Sequence, residues 1–236
     1  MNEQYYKWYS PELGKDTEML EFGFSGIPLI LFPTSMGRYY QNKDFGLINR
    51  ISWFIDQGLI KVYCPDSFDH ESWYNKSIHP SQRVLNHICY EKMLINEVIP
   101  KAFHNTGKSK IIVSGCSFGG YHAANLAFKY PEIISNLFTM SGTFDIKPMV
   151  KGYYDDNIYY NNPVDYLPNL NNEHLFHLGI ILGTGEFDSC LHSNIALSQI
   201  LDRKNISHQL DNRAGQNHDW PLWLDMLPFY LSKVQY

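Results

Sequence analysis

The sequence predicts an α/β protein with a mostly parallel central sheet and helices on both of its faces. Strand patterns alternate with helical patterns along the chain, which is the order that produces parallel sheets with crossover helices. Residues 29–32 form a continuous apolar run, as expected for a strand covered on both faces. A glycine-rich turn at residues 115–120 joins another such strand to a helix. We find no linker and no internal repeat, and therefore predict a single domain over residues 1–236.

The predicted elements follow one another in the order strand, helix, strand. Residues 1–28 include an alternating apolar and polar stretch, which predicts an antiparallel hairpin at the edge of the sheet. The further strand predictions cover residues 29–32, 59–64, 110–114, 137–141, 180–183 and 206–210. The helix predictions cover residues 47–57, 81–99, 121–130, 194–203 and 220–234. Three of these helices are predicted to end at a breaker residue, namely Gly58, Pro100 or Pro131.

Residues 144–170 interrupt this alternation and predict an insertion between two strands. The segment is rich in Tyr, Asn and Asp, in a chain that holds 17 Tyr, 14 Phe and 5 Trp. Loops with both aromatic and amide groups can stack on a sugar ring and hydrogen-bond to it, although a thick core edged with tyrosines would give the same composition. Our candidate substrate contacts are Tyr39, Trp73, Tyr153 and Trp220.

Composition and charge narrow the class of function. The chain is 44% hydrophobic and 18% charged, and its formal net charge of −5 offers no basic face to nucleic acid. No stretch approaches the roughly 18 apolar residues of a membrane span, and no apolar export signal is evident. The four cysteines lack the spacing of a zinc site or a disulfide framework. We therefore expect a cytoplasmic protein without a bound metal, with neither nucleic acid nor a membrane as partner; a homo-oligomer is left open.

The turn between the predicted strand at 110–114 and the following helix reads Gly115-Cys116-Ser117-Phe118-Gly119, a G-x-S-x-G pattern. A nucleophile elbow needs small residues two positions before and after the serine, because a strained turn must lift the hydroxyl clear of the sheet edge. The pattern alone also arises by chance in glycine-rich turns. Its position between a strand and a helix makes Ser117 the candidate nucleophile.

A serine hydroxyl is a weak nucleophile, so it needs a histidine base and a carboxylate that steadies the histidine. Asp188 follows the predicted strand at 180–183 and is the preferred acid; Glu186 is the alternative, and an aspartate that only caps the next helix is the competing structural interpretation. His218 lies in a polar loop before the last helix and is the candidate base. His122 is too close to the elbow to face Ser117 readily.

Attack on a carbonyl creates an oxyanion, which needs two directed N–H donors. The Phe118 N–H, directly after the nucleophile, is the first candidate. The second is expected from the loop after the strand at 29–32, through the backbone of Ser35 or Met36. An ordinary turn after Pro33 would give the same sequence pattern.

In these candidate residues and their order along the sequence, the chain resembles the esterase branch of the α/β-hydrolases. That branch contains esterase D (S-formylglutathione hydrolase), feruloyl and acetylxylan esterase domains, enterochelin esterases and mycolyltransferases. The resemblance spans about residues 20–235 and rests on five segments: Phe32–Ser35, Ser72–Tyr74, Gly115–Gly120, Gly183–Asp188 and Asn217–Trp220.

This resemblance implies the α/β-hydrolase fold, with Ser117 as nucleophile, Asp188 as acid, His218 as base, and no metal or organic cofactor. The chain departs from the family at the oxyanion loop, which reads Pro-Thr-Ser-Met-Gly where relatives often carry His-Gly or a glycine-rich sequence. The departure leaves the identity of the second donor open.

The leading hypothesis is a serine hydrolase that cleaves a small-molecule carboxylic ester through an acyl-enzyme, with sugar and aromatic esters among the candidates. One alternative is an acyltransferase of the same fold, which would pass the acyl group to a hydroxyl other than water. Another is a binding or assembly protein that kept the fold without the activity. A deep, dry cleft lined by residues 144–170 would favour transfer, and an open one would favour hydrolysis.

Overall fold

The computed structural model describes residues 1–236 and contains one sheet of eight strands in the order β1-β2-β4-β3-β5-β6-β7-β8. The strands are β1 Glu3–Ser10, β2 Lys15–Phe22, β3 Ile27–Phe32, β4 Ile60–Pro65, β5 Ile111–Cys116, β6 Ile134–Met140, β7 Gly179–Gly185 and β8 Gln209–Arg213. The pairs β1–β2 and β2–β4 are antiparallel, and all other pairs are parallel. The predictions of an edge hairpin and a mostly parallel sheet are confirmed.

Helices cover both faces of this sheet, as predicted. They are α1 Gln41–Asp44, α2 Leu47–Arg50, α3 Ser52–Asp56, α4 Pro80–Met93, α5 Ile99–Thr106, α6 Phe118–Lys129, α7 Asp156–Tyr159, α8 Pro163–Tyr166, α9 Leu191–Arg203 and α10 Trp220–Leu231. Side chains of β3 alternate between two cores, because successive residues of a strand point to opposite faces. Ile30 and Phe32 pack with α4, α5, α6 and α9, whereas Leu29 and Leu31 pack with α2, α3 and α10.

Pro100 does not end the long helix, so that prediction was wrong. The chain passes from α4 through a π-helical turn, Leu94–Val98, directly into α5. Pro100 occupies the first turn of α5, where the missing N–H of proline removes no required hydrogen bond. The helix ends instead at Gly107, whose φ of 67° suits glycine.

Several other element boundaries also differ from the prediction. The helix expected at 47–57 is divided into α2 and α3, and the helix expected at 121–130, α6, already starts at Phe118. Strand β8 starts at Gln209 instead of residue 206, because the Ile206 N–H donates to Leu201 O at the end of α9. None of the helices is long and apolar enough to cross a membrane.

Candidate active site

The elbow places Ser117 on a strained backbone between β5 and α6. Ser117 has φ 54° and ψ −120°, a positive φ that non-glycine residues seldom adopt, and its N–H donates to Met140 O of β6 (2.8 Å). A Cβ on Gly115 would lie 2.4 Å from the Gly119 carbonyl carbon, and one on Gly119 would lie 2.4 Å from Pro33 O. Both glycines are therefore required by close backbone approach.

The loops after β5, β7 and β8 bring the three predicted catalytic side chains together. His218 Nε2 lies 3.0 Å from Ser117 Oγ, and His218 Nδ1 lies 2.8 Å from Asp188 Oδ1. Asp188 Oδ1 also accepts the Cys190 N–H at 2.7 Å. The Asp188 side chain is completely buried, whereas Ser117 and His218 are partly exposed. The result is a hydrogen-bonded chain that leads from a buried carboxylate to a hydroxyl within reach of solvent.

The carboxylate and the imidazole shift each other's pKa in opposite directions. The hydrogen bond to Asp188, together with the neighbouring Cys190 side chain, raises the pKa of His218 to about 9 against the opposing effect of burial. Burial raises the pKa of Asp188, but hydrogen bonds from His218, Ser141 and the Cys190 N–H outweigh it and leave that pKa below its ordinary value. Asp188 is therefore ionised at neutral pH and stabilises a proton on His218.

The side chain of Glu186, the alternative acid, forms no hydrogen bond with His218 and bonds to a different group. Its side chain is exposed, and Oε2 accepts the Gly215 N–H at 2.8 Å. In the same region the Glu186 N–H donates to Arg213 O, and the Phe187 N–H donates to Gln216 O, each at 2.9 Å. These bonds join the acid loop to the histidine loop as one ribbon, which we call the acid–base ribbon (residues 185–188 and 213–218).

The oxyanion candidates differ in the availability of their N–H groups. Phe118 is the first residue of α6, so its N–H has no partner within the helix. The Met36 N–H donates to Asp69 Oδ2 at 2.9 Å and is not free for a substrate oxygen, which corrects the expectation for Met36. The Ser35 N–H forms no hydrogen bond, and the Ser35 Oγ accepts from the Tyr74 hydroxyl at 2.8 Å. Ser35 and Phe118 therefore offer the two available donors.

The sequence reasoning missed Asp69 and gave His122 no role. Both are buried, at 1% and 4% exposure, and His122 Nε2 donates to Asp69 Oδ1 at 2.8 Å. His122 lies four residues after Phe118 on α6, and the two rings pack edge to face with centroids 5.1 Å apart. A histidine on an otherwise apolar helix needs a buried partner, which is the one sequence signal that could have raised this pair.

Two of the four aromatic candidates pack against other aromatic rings of the chain, and only Trp73 is buried. Trp73 is 1% exposed and packs against His87 and Tyr121, so the expectation that it contacts substrate is wrong. Tyr39 packs against Tyr5 of the N-terminal hairpin, with ring centroids 5.7 Å apart. Tyr39 is partly exposed, whereas Trp73 is buried because its ring completes local packing.

The other two aromatic candidates are partly exposed. Trp220 stacks on Phe45 at 4.5 Å and packs edge to face on Trp223, whose ring in turn meets the His218 ring at 5.1 Å. Tyr153 lies in the insertion, where its hydroxyl donates to Asp155. Trp220 is therefore connected to the base through one intervening ring.

Two buried asparagines order the insertion between β6 and β7, and one of them, Asn161, contacts α6. The Asn161 carbonyl accepts the Tyr121 hydroxyl of α6 at 2.8 Å. Asn162 is fully buried; its Nδ2 donates to Asp145 and Asp165, and its Oδ1 accepts the Ile146 N–H. The three Asn162 bonds explain why an amide side chain is buried at that position.

The sheet order, the elbow and the Ser-His-Asp geometry together define an α/β-hydrolase fold. No protein-family model and no curated protein matches the sequence. Among solved structures, a ferulic acid esterase is similar with a TM-score of 0.77 and 16% identity over 97% of both chains. An S-formylglutathione hydrolase from Agrobacterium tumefaciens gives a TM-score of 0.75 and 13% identity, over 99% of this chain and 95% of its own.

A third similar structure is a CE1 ferulic acid esterase from Anaeromyces mucronatus in complex with ferulic acid. It gives a TM-score of 0.76 and 12% identity, over 99% of this chain and 90% of its own. These neighbours fall within the esterase branch that the sequence segments indicated, and the predicted fold is confirmed.

Proposed function

We propose that the protein is a serine hydrolase that cleaves a small-molecule carboxylic ester through an acyl-enzyme. The observation that carries the proposal is the continuous chain of short contacts from Ser117 Oγ through His218 to the buried Asp188. The fold shared with esterases supports the same reaction.

In the first half of the proposed reaction, Ser117 Oγ attacks the ester carbonyl and its proton passes to His218 Nε2. The carbonyl π electrons move to the oxygen, and the N–H groups of Phe118 and Ser35 stabilise that oxyanion. Asp188 stabilises the imidazolium. When the tetrahedral intermediate collapses, the bond to the alcohol breaks and the alcohol takes the proton from Nε2, which leaves an acyl-serine.

In the second half, water attacks the acyl-serine while His218 Nε2 accepts its proton. Collapse of the second intermediate returns that proton to Ser117 Oγ and releases the acid. We favour water over another hydroxyl as acceptor because Ser117 and His218 are both partly exposed, and an acyltransferase would need to exclude water. Every step uses side chains, backbone N–H groups and water, so the proposal includes no metal or organic cofactor.

The substrate class is proposed as small esters, with aromatic and sugar esters tested first. One neighbour of the same fold is described in complex with ferulic acid, an aromatic acid. The stacked pair of Trp220 and Phe45 would offer an aromatic surface next to the base. All four cysteines are free thiols, which accords with the cytoplasmic location that we propose.

A fluorophosphonate probe tests the proposed nucleophile. We expect rapid labelling of the wild-type protein and none of Ser117→Ala, whereas folded wild-type protein that remains unlabelled would refute the proposal. His218→Ala should abolish ester cleavage with little change in melting temperature; a large loss of stability would instead identify a structural histidine. A panel of short acyl, acetyl-sugar and feruloyl esters would then identify the substrate class, and labelling without turnover of any ester would favour a binding protein.

A further inference from the structure

A second Asp–His pair lies behind the candidate oxyanion loop. Asp69 accepts two hydrogen bonds with its two carboxylate oxygens, one from His122 on α6 (2.8 Å) and one from the Met36 N–H (2.9 Å). Both side chains of the pair are almost completely buried. The pair therefore links the nucleophile helix to the loop after β3.

We propose that Asp69 and His122 are positioning residues that hold the Ser35 N–H in place as the second oxyanion donor. The inference goes beyond the proposed ester hydrolysis and rests on it. Neither side chain touches substrate in this proposal; both act through the backbone of the loop.

The backbone of the loop explains why an acceptor is needed there. Residues 34–37 form a turn in which the Gly37 N–H donates to Thr34 O at 2.9 Å. Met36, the third residue of the turn, has φ 59°, which type II turns require and which glycine normally supplies. Because Met36 is not glycine, the turn has a competing form with negative φ, in which its N–H points the other way. The bond to Asp69 selects the observed form.

His122 connects the conformation of the turn at residues 34–37 to the other candidate oxyanion donor, the Phe118 N–H. It lies on α6 four residues after Phe118, whose N–H is the first oxyanion candidate. Phe118 and His122 lie on the same rigid helix, α6. The bond from His122 to Asp69 therefore fixes the distance between the Phe118 N–H and the Ser35 N–H. A buried carboxylate is costly unless its oxygens are paired, so loss of either partner should disturb the loop.

Kinetics of variants at Asp69 test the loop contact. Asp69→Leu removes both acceptors and keeps the branched shape of the side chain, and we expect kcat to fall about 10- to 100-fold with KM within about threefold, because misplaced oxyanion donors act on the transition state. Asp69→Asn keeps an acceptor for the Met36 N–H and a polar group opposite His122. It should retain kcat within about threefold of wild type.

Histidine variants provide a matched control. His87 is 2% exposed, and its ring lies 5.6 Å from the His122 ring, but it makes no contact with the loop. His122→Leu and His87→Leu should both alter the melting temperature, whereas only His122→Leu should lower kcat. An alkyl boronic acid, which forms a tetrahedral adduct on the serine, should bind the Asp69→Leu and His122→Leu variants more weakly in proportion to the loss of kcat.

The outcomes separate this inference from the proposed function. Wild-type protein that reacts with no ester and no fluorophosphonate would defeat the ester hydrolysis itself. An active wild type with an unchanged kcat in folded Asp69→Leu or His122→Leu, or an equal loss in His87→Leu, would overturn only the positioning role. If Asp69→Leu does not fold, the other two variants test the inference. A near-normal kcat in Asp69→Asn together with a lowered kcat in His122→Leu supports it, and any other combination overturns it.

Discussion

Replacement of Gly119 by alanine should separate the two halves of the candidate oxyanion hole. A Cβ at this position would lie 2.4 Å from Pro33 O and 3.0 Å from Phe32 O, both of which are backbone atoms at the end of β3. Carbon and oxygen atoms in contact normally stay about 3.3 Å or more apart, so α6 and the loop after β3 must separate by roughly 1 Å. The added methyl group therefore acts as a spacer between Phe118 and Ser35.

The expected effect follows from that displacement. A shift of about 1 Å in a catalytic group can lower the rate about 100-fold, and overpacking of this kind typically costs about 1–3 kcal/mol of stability. We therefore expect Gly119→Ala to lower kcat for a simple ester by about 10- to 100-fold, with a smaller change in KM. Its free energy of unfolding should fall within the range given for overpacking.

Steady-state hydrolysis of an aryl ester, combined with urea denaturation, measures both quantities. Gly120→Ala is the matched control, because its Cβ would meet Gly142 Cα at 2.9 Å on a different side of α6 and leave Pro33 undisturbed. The control should lose stability but keep more of its kcat. Gly119→Ala with wild-type kcat, or with a loss no greater than that of Gly120→Ala, would refute the reasoning.

Three further predictions follow from the site geometry. The raised pKa of His218, about 9, means that its imidazole is mostly protonated at neutral pH. The ratio kcat/KM should therefore rise about tenfold per pH unit between about pH 6 and 8 and level off near the pKa, and a plateau already reached by about pH 6.5 would contradict this. Asp188→Asn should lower kcat by about 10³- to 10⁴-fold, whereas Glu186→Gln, which keeps an acceptor for its loop bond, should change it less than threefold; a loss in Glu186→Gln as large as that in Asp188→Asn would contradict the assignment of the acid to Asp188. Trp223→Phe removes the indole N–H that donates to Ser141 Oγ at 2.7 Å, so urea denaturation should show a loss of about 1 kcal/mol, and unchanged stability would show that this bond contributes nothing.

The features that the sequence predicted well are those that local chemistry determines. The elbow needs glycines within two positions of Ser117, and their close contacts with neighbouring backbone explain why no other residue would serve. The proximity of Asp188 and His218 was predictable because parallel strands end at the same sheet edge, so residues just after two neighbouring strands, β7 and β8, come together.

The features that the sequence did not predict depend on contacts between distant residues. Asp69 and His122 are separated by 53 positions, and neither position shows a local pattern that names the other. Trp73 occupies a loop that looks exposed in the sequence, but packing under the elbow buries it. Pro100 was interpreted as a helix breaker because the preceding π-helical turn, which accommodates it, leaves no simple signal in sequence.

The acid–base ribbon has a consequence for any exchange of loops with esterases of the same fold. Because backbone bonds join residues 185–187 to residues 213–216, an insertion or deletion in one loop would shift the carboxylate and the imidazole relative to each other. A successful graft would therefore transfer both segments together, including Gly215, whose N–H donates to Glu186. A chimera that inherits only one segment would be expected to fold and to lose the alignment of its proton path.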